Sequence, residues 1–259
     1  MSVRPRKELG QHWLVDENVL HVVARLADLG QDDVVLEIGP GLGVLTGYLA
    51  ARVGTVHAVE VDRSLERALQ ERLAGVENVR LVFGDALDLL ARDFDPPPDK
   101  LVANLPYNVA TPIVAESLAA LPSVRLWCVM VQREVADRFF AAPGTKDYGA
   151  VSVVLQLAAE RTGFHPVART CFRPPPNVDS ALVAFRRTRP WGPELDAARR
   201  LAQAAFAHRR KTLPNSLELA GLADRQRAAA ALRELGREPE VRAEALAPAE
   251  LLRLSELLV

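Results

Sequence analysis

Glu37-Ile38-Gly39-Pro40-Gly41-Leu42-Gly43-Val44-Leu45 decides how this chain is read. The apolar run Val34-Val35-Leu36 leads into it as a short strand of buried type, and residues 45–52 continue from it as a helix. Three glycines at alternate positions let the chain turn tightly and let a ligand approach backbone, because no Cβ stands in the way. The same alternation extends outward. Residues 55–59, 79–83, 100–103 and 126–131 are strand-like, and residues 63–73 and 109–121 are helix-like, with Pro112 tolerable in a first turn. Upstream, Asp16 can cap a helix that Gly30 terminates. The pattern predicts an α/β fold, a Rossmann-like parallel sheet with helices on both faces. Antiparallel strands are expected at one edge, between about residues 164 and 187.

Composition shifts after Trp191-Gly192-Pro193. The remainder is rich in Ala, Leu, Glu and Arg, and breaks at Pro214, Gly221, Gly236 and Pro248 divide it into four or so short helices. The expected organisation is an α/β domain over residues 1–190 and a small all-helical domain over residues 191–259. A chain of 259 residues, 49% hydrophobic, can bury a full core. Its net charge of −1 leaves affinity for a polyanion to local patches. Cys128 and Cys171 have no metal-ligand spacing, and two isolated cysteines suit a reducing compartment. No membrane-length apolar stretch or secretory apolar region occurs. A cytoplasmic, monomeric protein without metal is expected.

Three features fall at strand ends, where open α/β sheets bind ligands. Gly39, Gly41 and Gly43 follow the first strand. Glu60 ends the second, 21 residues beyond Gly39, where a carboxylate can accept from both ribose hydroxyls. Asp85, in Gly84-Asp85-Ala86, ends the third and can accept an adenine amine. A glycine turn alone also fits an ordinary strand-to-helix turn or a dehydrogenase. Here the pattern is Gly-x-Gly-x-Gly, and Val44 breaks the pyrophosphate fingerprint. S-adenosyl-L-methionine has no phosphate to cradle, so the departure favours it over NAD.

Asn104-Leu105-Pro106-Tyr107 ends the fourth strand on the same edge. The N6 of adenine is a poor nucleophile because its lone pair is delocalised into the ring. Two acceptors, the Asn104 side-chain carbonyl and a backbone carbonyl near Leu105, can hydrogen-bond its hydrogens and favour a pyramidal nitrogen. Pro106 fixes the chain direction, and Tyr107 offers a face on which an extruded base can stack. With an activated sulfonium donor, alignment and desolvation matter more than a strong base.

This motif resembles the Asn-(Leu/Ile)-Pro-Tyr of rRNA adenine N6-dimethyltransferases. Gly10-Gln11-His12-Trp13-Leu14 is similar to that family's N-terminal Gly-Gln-Asn-Phe-Leu, with His12 where Asn is usual and Trp13 where Phe is usual. Phe172-Arg173-Pro174-Pro175-Pro176-Asn177-Val178-Asp179-Ser180 resembles its Phe-x-Pro-x-Pro-x-Val-x-Ser stretch. Arg209-Arg210-Lys211-Thr212-Leu213-Pro214-Asn215 resembles the segment that opens its helical domain, with Pro214 replacing a common Arg. The resemblance spans the chain and is nearest the branch that modifies small-subunit rRNA. It implies an S-adenosylmethionine-dependent methyltransferase that dimethylates two adjacent adenosines in a hairpin loop near the 3′ end of 16S rRNA, late in 30S assembly. It also implies cofactor contacts from His12 and Leu14 beside Gly39, Gly41, Glu60, Asp85, Ala86 and Asn104. Phe172 would stack on the target adenine opposite Tyr107.

Eight Lys/Arg between Arg186 and Lys211, with Arg4, Arg6 and Lys7, are the natural phosphate contacts. Arg6, Lys7, Arg209, Arg210 and Lys211 are the residues assigned to RNA; Arg199 and Arg200 fit a solvated face equally well. The competing functions are a resistance-type methyltransferase acting on 23S rRNA, an assembly factor that binds without methylating, and an NAD oxidoreductase.

Overall fold

Strands that are apolar on both faces must lie between helices, and that requirement builds the architecture. A computed structural model of the protein describes Arg6, residues 11–90 and residues 92–258. In order the elements are β1 (Trp13–Leu14), α1 (Glu17–Leu26), β2 (Val34–Ile38), α2 (Val44–Ala50), β3 (Thr55–Glu60), α3 (Glu66–Arg72), β4 (Val79–Phe83) and α4 (Ala86–Leu89). Then come β5 (Lys100–Asn104), α5 (Ala110–Ala120), β6 (Leu126–Gln132), α6 (Arg133–Phe139), α7 (Ala150–Ala158), β7 (Ala159–Val167), β8 (Phe172–Arg173) and β9 (Ser180–Arg187). The chain finishes with α8 (Pro193–Ala207), α9 (Leu213–Leu219), α10 (Arg225–Glu234) and α11 (Pro248–Leu258).

Seven strands form one sheet in the order β4-β3-β2-β5-β6-β9-β7. β2 pairs in parallel with β3 and β5, β3 with β4, and β5 with β6. The antiparallel strand in the expected region is β9, paired with β6, but it lies inside the sheet, with β7 beyond it at the edge. Winding outward from β2 through β3 to β4, the chain then returns to the far side of β2 as β5. That reversal opens a crevice at the carboxyl ends of β2 and β5. The Rossmann-like α/β reading therefore holds.

On one face Val35, Ala58, Val102, Cys128 and Leu182 are buried against Val23 of α1. Elsewhere in the sheet Trp127 stacks on Phe185 with ring centroids 5.2 Å apart and donates its Nε1–H to Ser117 Oγ at 2.9 Å. Arg187 belongs to this packing and not to a solvated basic face. Its guanidinium lies 5.0 Å over the Trp127 ring and donates to the carbonyls of Leu118, Leu121 and Val124, which close the end of α5. Arg187→Ala leaves those carbonyls without their donor and should cost about 2–4 kcal/mol, at the upper end for charged hydrogen bonds. The measurement is the urea midpoint; an unshifted midpoint would mean that water replaces the guanidinium.

The chain divides into two compact units, Met1–Ala136 with Arg161–Arg187, and Asp137–Glu160 with Thr188–Val259. The second unit packs α7 with the four C-terminal helices around Tyr148, Leu201, Leu217, Leu232, Leu246 and Leu254. Its share of residues before position 191 follows from that core: Tyr148 is fully buried and donates its hydroxyl to the Leu246 carbonyl at 2.9 Å. Pro193 and Pro214 lie in the first turns of α8 and α9, and α11 begins at Pro248. There a missing N–H costs nothing, so the prolines read as breaks open helices. Among the described residues no helix is long and apolar enough to cross a membrane.

Candidate active site

The glycine turn leaves β2 at Ile38, and the Gly39 N–H donates to Val59 O at 2.8 Å, stitching the turn to β3. Gly41 has φ +58°, a left-handed conformation that favours glycine. A Cβ there would stand 3.0 Å from Trp13 Cδ1, and one at Gly39 would stand 3.4 Å from Pro106 Cδ. Glycine is thus what lets the turn close against both the N-terminal strand and the Asn104–Tyr107 loop. Gly41→Val should displace Trp13 and weaken cofactor binding at least about tenfold, the cost of a strained φ plus a lost contact. Calorimetric titration with S-adenosylhomocysteine checks it; parental affinity would show that the turn absorbs the side chain.

Two buried carboxylates face the turn. Glu60, at the end of β3, accepts from Asp62 N at 2.9 Å through Oε1 and from Gly41 N at 3.1 Å through Oε2. Burial raises its pKa above the usual carboxylate range, against the pull of those two backbone donors. Remaining lone pairs on both oxygens can still accept from hydroxyls. Glu37, near the end of β2, was quoted in the sequence without a role, yet it is 1% exposed and its Oε2 has no hydrogen-bond partner. Burial pushes its carboxyl up to about 8; the Thr46 hydroxyl tempers the shift but stands outside hydrogen-bond geometry, and the Glu60 charge adds to it. Asp85 caps α4 by accepting Leu87 N at 2.9 Å through Oδ1 and is exposed, with Ala86 beside it.

Asn104 ends β5. Its Nδ2 donates to the His12 carbonyl at 3.0 Å, and because a carbonyl only accepts, this contact fixes which end of the amide is nitrogen. Oδ1 then faces the other way, buried and without a partner. Leu105, 1% exposed, anchors the next residue through its N–H to Met130 O at 3.0 Å. The Tyr107 hydroxyl meets Ser180 Oγ at the start of β9, and burial raises its pKa while that contact lowers it. His12 stacks on Tyr107 with ring centroids 5.5 Å apart, and its Nδ1 lies 2.8 Å from Pro174 O, which requires a proton on Nδ1.

Two segments that the sequence singled out separately form one ladder. β1 pairs antiparallel with β8, with Trp13 opposite Arg173 and Leu14 opposite Phe172. Leu14 both lines the cleft and reaches the core. Phe172 is 1% exposed within the core and lines neither part of the cleft, so its ring presents no face to a base in this arrangement. The basic residues are similarly mixed. Arg6 pairs with Asp62 at 3.5 Å, and Gln11 Nε2 donates to the same carboxylate at 2.9 Å. Lys7 lies outside the described residues. In the helical unit, Arg209, Arg210 and Lys211 are all exposed, and Arg209 also donates to the carbonyls of Lys146 and Tyr148.

The cleft has two adjoining parts of about 680 and 650 Å³, counting their open mouths. One is walled by Gln11 to Leu14, the glycine turn, Glu37, Glu60 and Asn104 to Tyr107. The other is a largely apolar slot between Ile38, Val59, Leu87 and Ile113, with Asp85 and Ala86 at its rim. Its shape and acceptor suit an adenine ring. No Lys or Arg lines either part among the described residues, while three carboxylates do. Such a donor set repels a pyrophosphate and accommodates ribose hydroxyls, an ammonium and a sulfonium. Together with the unpartnered Oδ1 and Oε2, it fits S-adenosyl-L-methionine. Sequence reasoning missed Gln11, Trp13, Glu37 and Val61 as lining residues; the signal at Glu37 was an acid at the end of an apolar strand.

A family model described as ribosomal RNA adenine dimethylase matches residues 3–259. The ribosomal RNA small subunit methyltransferase A of Rubrobacter xylanophilus is 46% identical over 97% of this chain and 94% of its own. A dimethyladenosine transferase from Plasmodium falciparum superposes with a TM-score of 0.77 at 25% identity, covering 94% and 96% of the two chains. The 23S rRNA methyltransferase ErmE gives 0.66 at 30% identity, covering 95% and 99%.

Proposed function

The chain belongs to the ribosomal RNA adenine dimethylase family, and on that footing we propose that it dimethylates N6 of two adjacent adenosines in a hairpin loop near the 3′ end of 16S rRNA. The substrate is the 30S particle late in small-subunit assembly, and the enzyme is cytoplasmic and monomeric. S-adenosyl-L-methionine supplies an activated methyl group on a cationic sulfur. Glu60 accepts from its ribose, the slot rimmed by Asp85 and Ala86 takes its adenine, and Gly39, Gly41, His12 and Leu14 complete its walls.

The observation that carries the reading is the Asn104 amide. Its nitrogen is committed to His12 O, so a buried acceptor is left pointing with no protein donor. A buried acceptor without a partner is costly, about 1–3 kcal/mol, and an N6 hydrogen of adenine would satisfy it. With the Leu105 carbonyl as second acceptor, the amine is held with its lone pair free, and desolvation by the buried wall favours attack. Tyr107, held by Ser180 at its hydroxyl and by His12 on its ring, offers a preorganised surface for an extruded base. Arg209, Arg210 and Lys211 are exposed cations of the segment assigned to RNA phosphates.

Tritiated methyl transfer to unmethylated 30S particles, compared with 50S particles, tests the reading. N6,N6-dimethyladenosine from the 30S arm alone is expected. Label in the 50S arm would move the assignment to 23S rRNA, and no label in either would remove the catalytic role.

A further inference from the structure

A methionine-derived cofactor carries a carboxylate at its amino-acid end, and among the described residues the wall of this cleft holds no cation to meet it. Among the described residues its partner is therefore a neutral donor. In the part of the cleft walled by the N-terminal strand, the side-chain donor nitrogens other than that of Trp13 each have a protein acceptor. Gln11 Nε2 donates to Asp62, Asn104 Nδ2 to His12 O, and His12 Nδ1 to Pro174 O. Trp13 Nε1 is the exception: it is buried and has no partner.

Its placement is as informative as its isolation. Trp13 lines the same cavity as Glu37, Glu60 and Asn104, and its indole edge lies against the glycine turn, with Nε1 3.3 Å from where a Cβ on Gly41 would stand. Pairing of β1 with β8 fixes the strand that carries it. A buried indole N–H without an acceptor is unusual, because tryptophan normally finds one. A phenylalanine here would fill the space without any donor. The chain thus places an unpartnered indole N–H beside the glycine turn, on a residue that lines the cavity.

We propose that the Trp13 Nε1–H binds the carboxylate of the cofactor's amino-acid end. The proposal rests on the S-adenosyl-L-methionine reading and adds a binding residue to it. With no basic side chain among the described lining residues, this donor orients the amino-acid end, while Glu37 faces the positive groups.

The test is a binding cycle on the full chain. S-adenosylhomocysteine and its decarboxylated analogue, S-adenosyl-3-thiopropylamine, are titrated by calorimetry against the parent and Trp13→Phe. A hydrogen bond to a charged group corresponds to about a ten- to hundredfold change in affinity. Trp13→Phe should lose that factor for S-adenosylhomocysteine and bind the decarboxylated analogue as the parent does, which also demonstrates that the variant is folded. An equal loss for both ligands, or no loss for either, overturns the proposal and leaves the cofactor reading intact. If the parent binds neither ligand, the cofactor reading itself fails, and the proposal with it.

Discussion

Asn104→Ala is expected to slow single-turnover methyl transfer to 30S particles by about 10²–10³-fold, the usual consequence of removing one preorganised hydrogen-bonding group from a reacting centre. Retention of 30S particles on filters should stay within a few-fold of the parent, whereas the calorimetric affinity for S-adenosylhomocysteine should fall with the lost His12 tether. The split between retention and turnover follows from what the side chain touches. Its nitrogen holds the His12 carbonyl and its oxygen holds nothing in the protein, so truncation removes a group reserved for something that arrives. Asn104→Asp sharpens the experiment. An aspartate keeps an acceptor in the cleft but places a second oxygen against His12 O, which repels it. Its rate should also fall, accompanied by loosening of the N-terminal strand. If Asn104→Ala turns over at the parental rate, the amine is held elsewhere and the mechanism is wrong.

How much of this was legible in the sequence depends on what a motif encodes. The glycine run, Glu60, Asp85 and Asn104 were legible because backbone alternation alone places strand ends on one edge, and the switch between β2 and β5 then brings them together. Side-chain direction was not. Phe172 matches a motif letter for letter, yet pairing of Leu14 with Phe172 turns its ring into the core. Arg187 and Arg209 stand in a basic run that looks uniformly solvated. One closes the end of α5 and the other ties down the carbonyls of Lys146 and Tyr148. A cation capping carbonyls and a cation awaiting phosphate share the same letters, and only long-range packing separates them.

The stretch from Arg133 to Ala158 was silent for another reason. Gly149-Ala150-Val151-Ser152-Val153-Val154-Leu155 is short, apolar and rich in β-branched residues, so periodicity alone does not distinguish strand from helix. It is helical as α7 because Val153, with Tyr148, enters the core of the second unit. Partners more than forty residues downstream, such as Leu201 and Leu246, decide its conformation. Local propensity yields to that burial.

Glu37→Gln is expected to stabilise the ligand-free protein at alkaline pH while weakening it as a binder. The Glu37 carboxyl titrates near 4.5 when free and is pushed up to about 8 by burial in the fold. Between those values the native protein keeps a proton that the unfolded chain has released, so stability must fall as pH rises through that window. The full penalty is reached above about pH 8 and, at 1.36 kcal/mol per unit, is at most roughly 5 kcal/mol. Glutamine cannot ionise, so the variant should escape the decline. Melting curves of the two proteins should nearly coincide at pH 5 and separate by several degrees by pH 8.5, given about 2–4 °C per kcal/mol for a chain of this size. Glu60, whose pKa is also raised by burial, contributes a slope of the same sign to both proteins. Binding should run the opposite way. A cationic sulfonium and ammonium favour the ionised carboxylate, so the parent releases a proton on binding S-adenosyl-L-methionine and gains affinity as pH rises toward 8. Glu37→Gln should show neither effect and should bind more weakly at pH 8, where the parental carboxylate is about half ionised even before ligand arrives. Calorimetry in two buffers of different ionisation enthalpy counts that proton directly. Melting curves that stay parallel from pH 5 to 8.5, together with equal proton release in both proteins, would mean that this carboxylate is not the one that holds the cleft's negative charge.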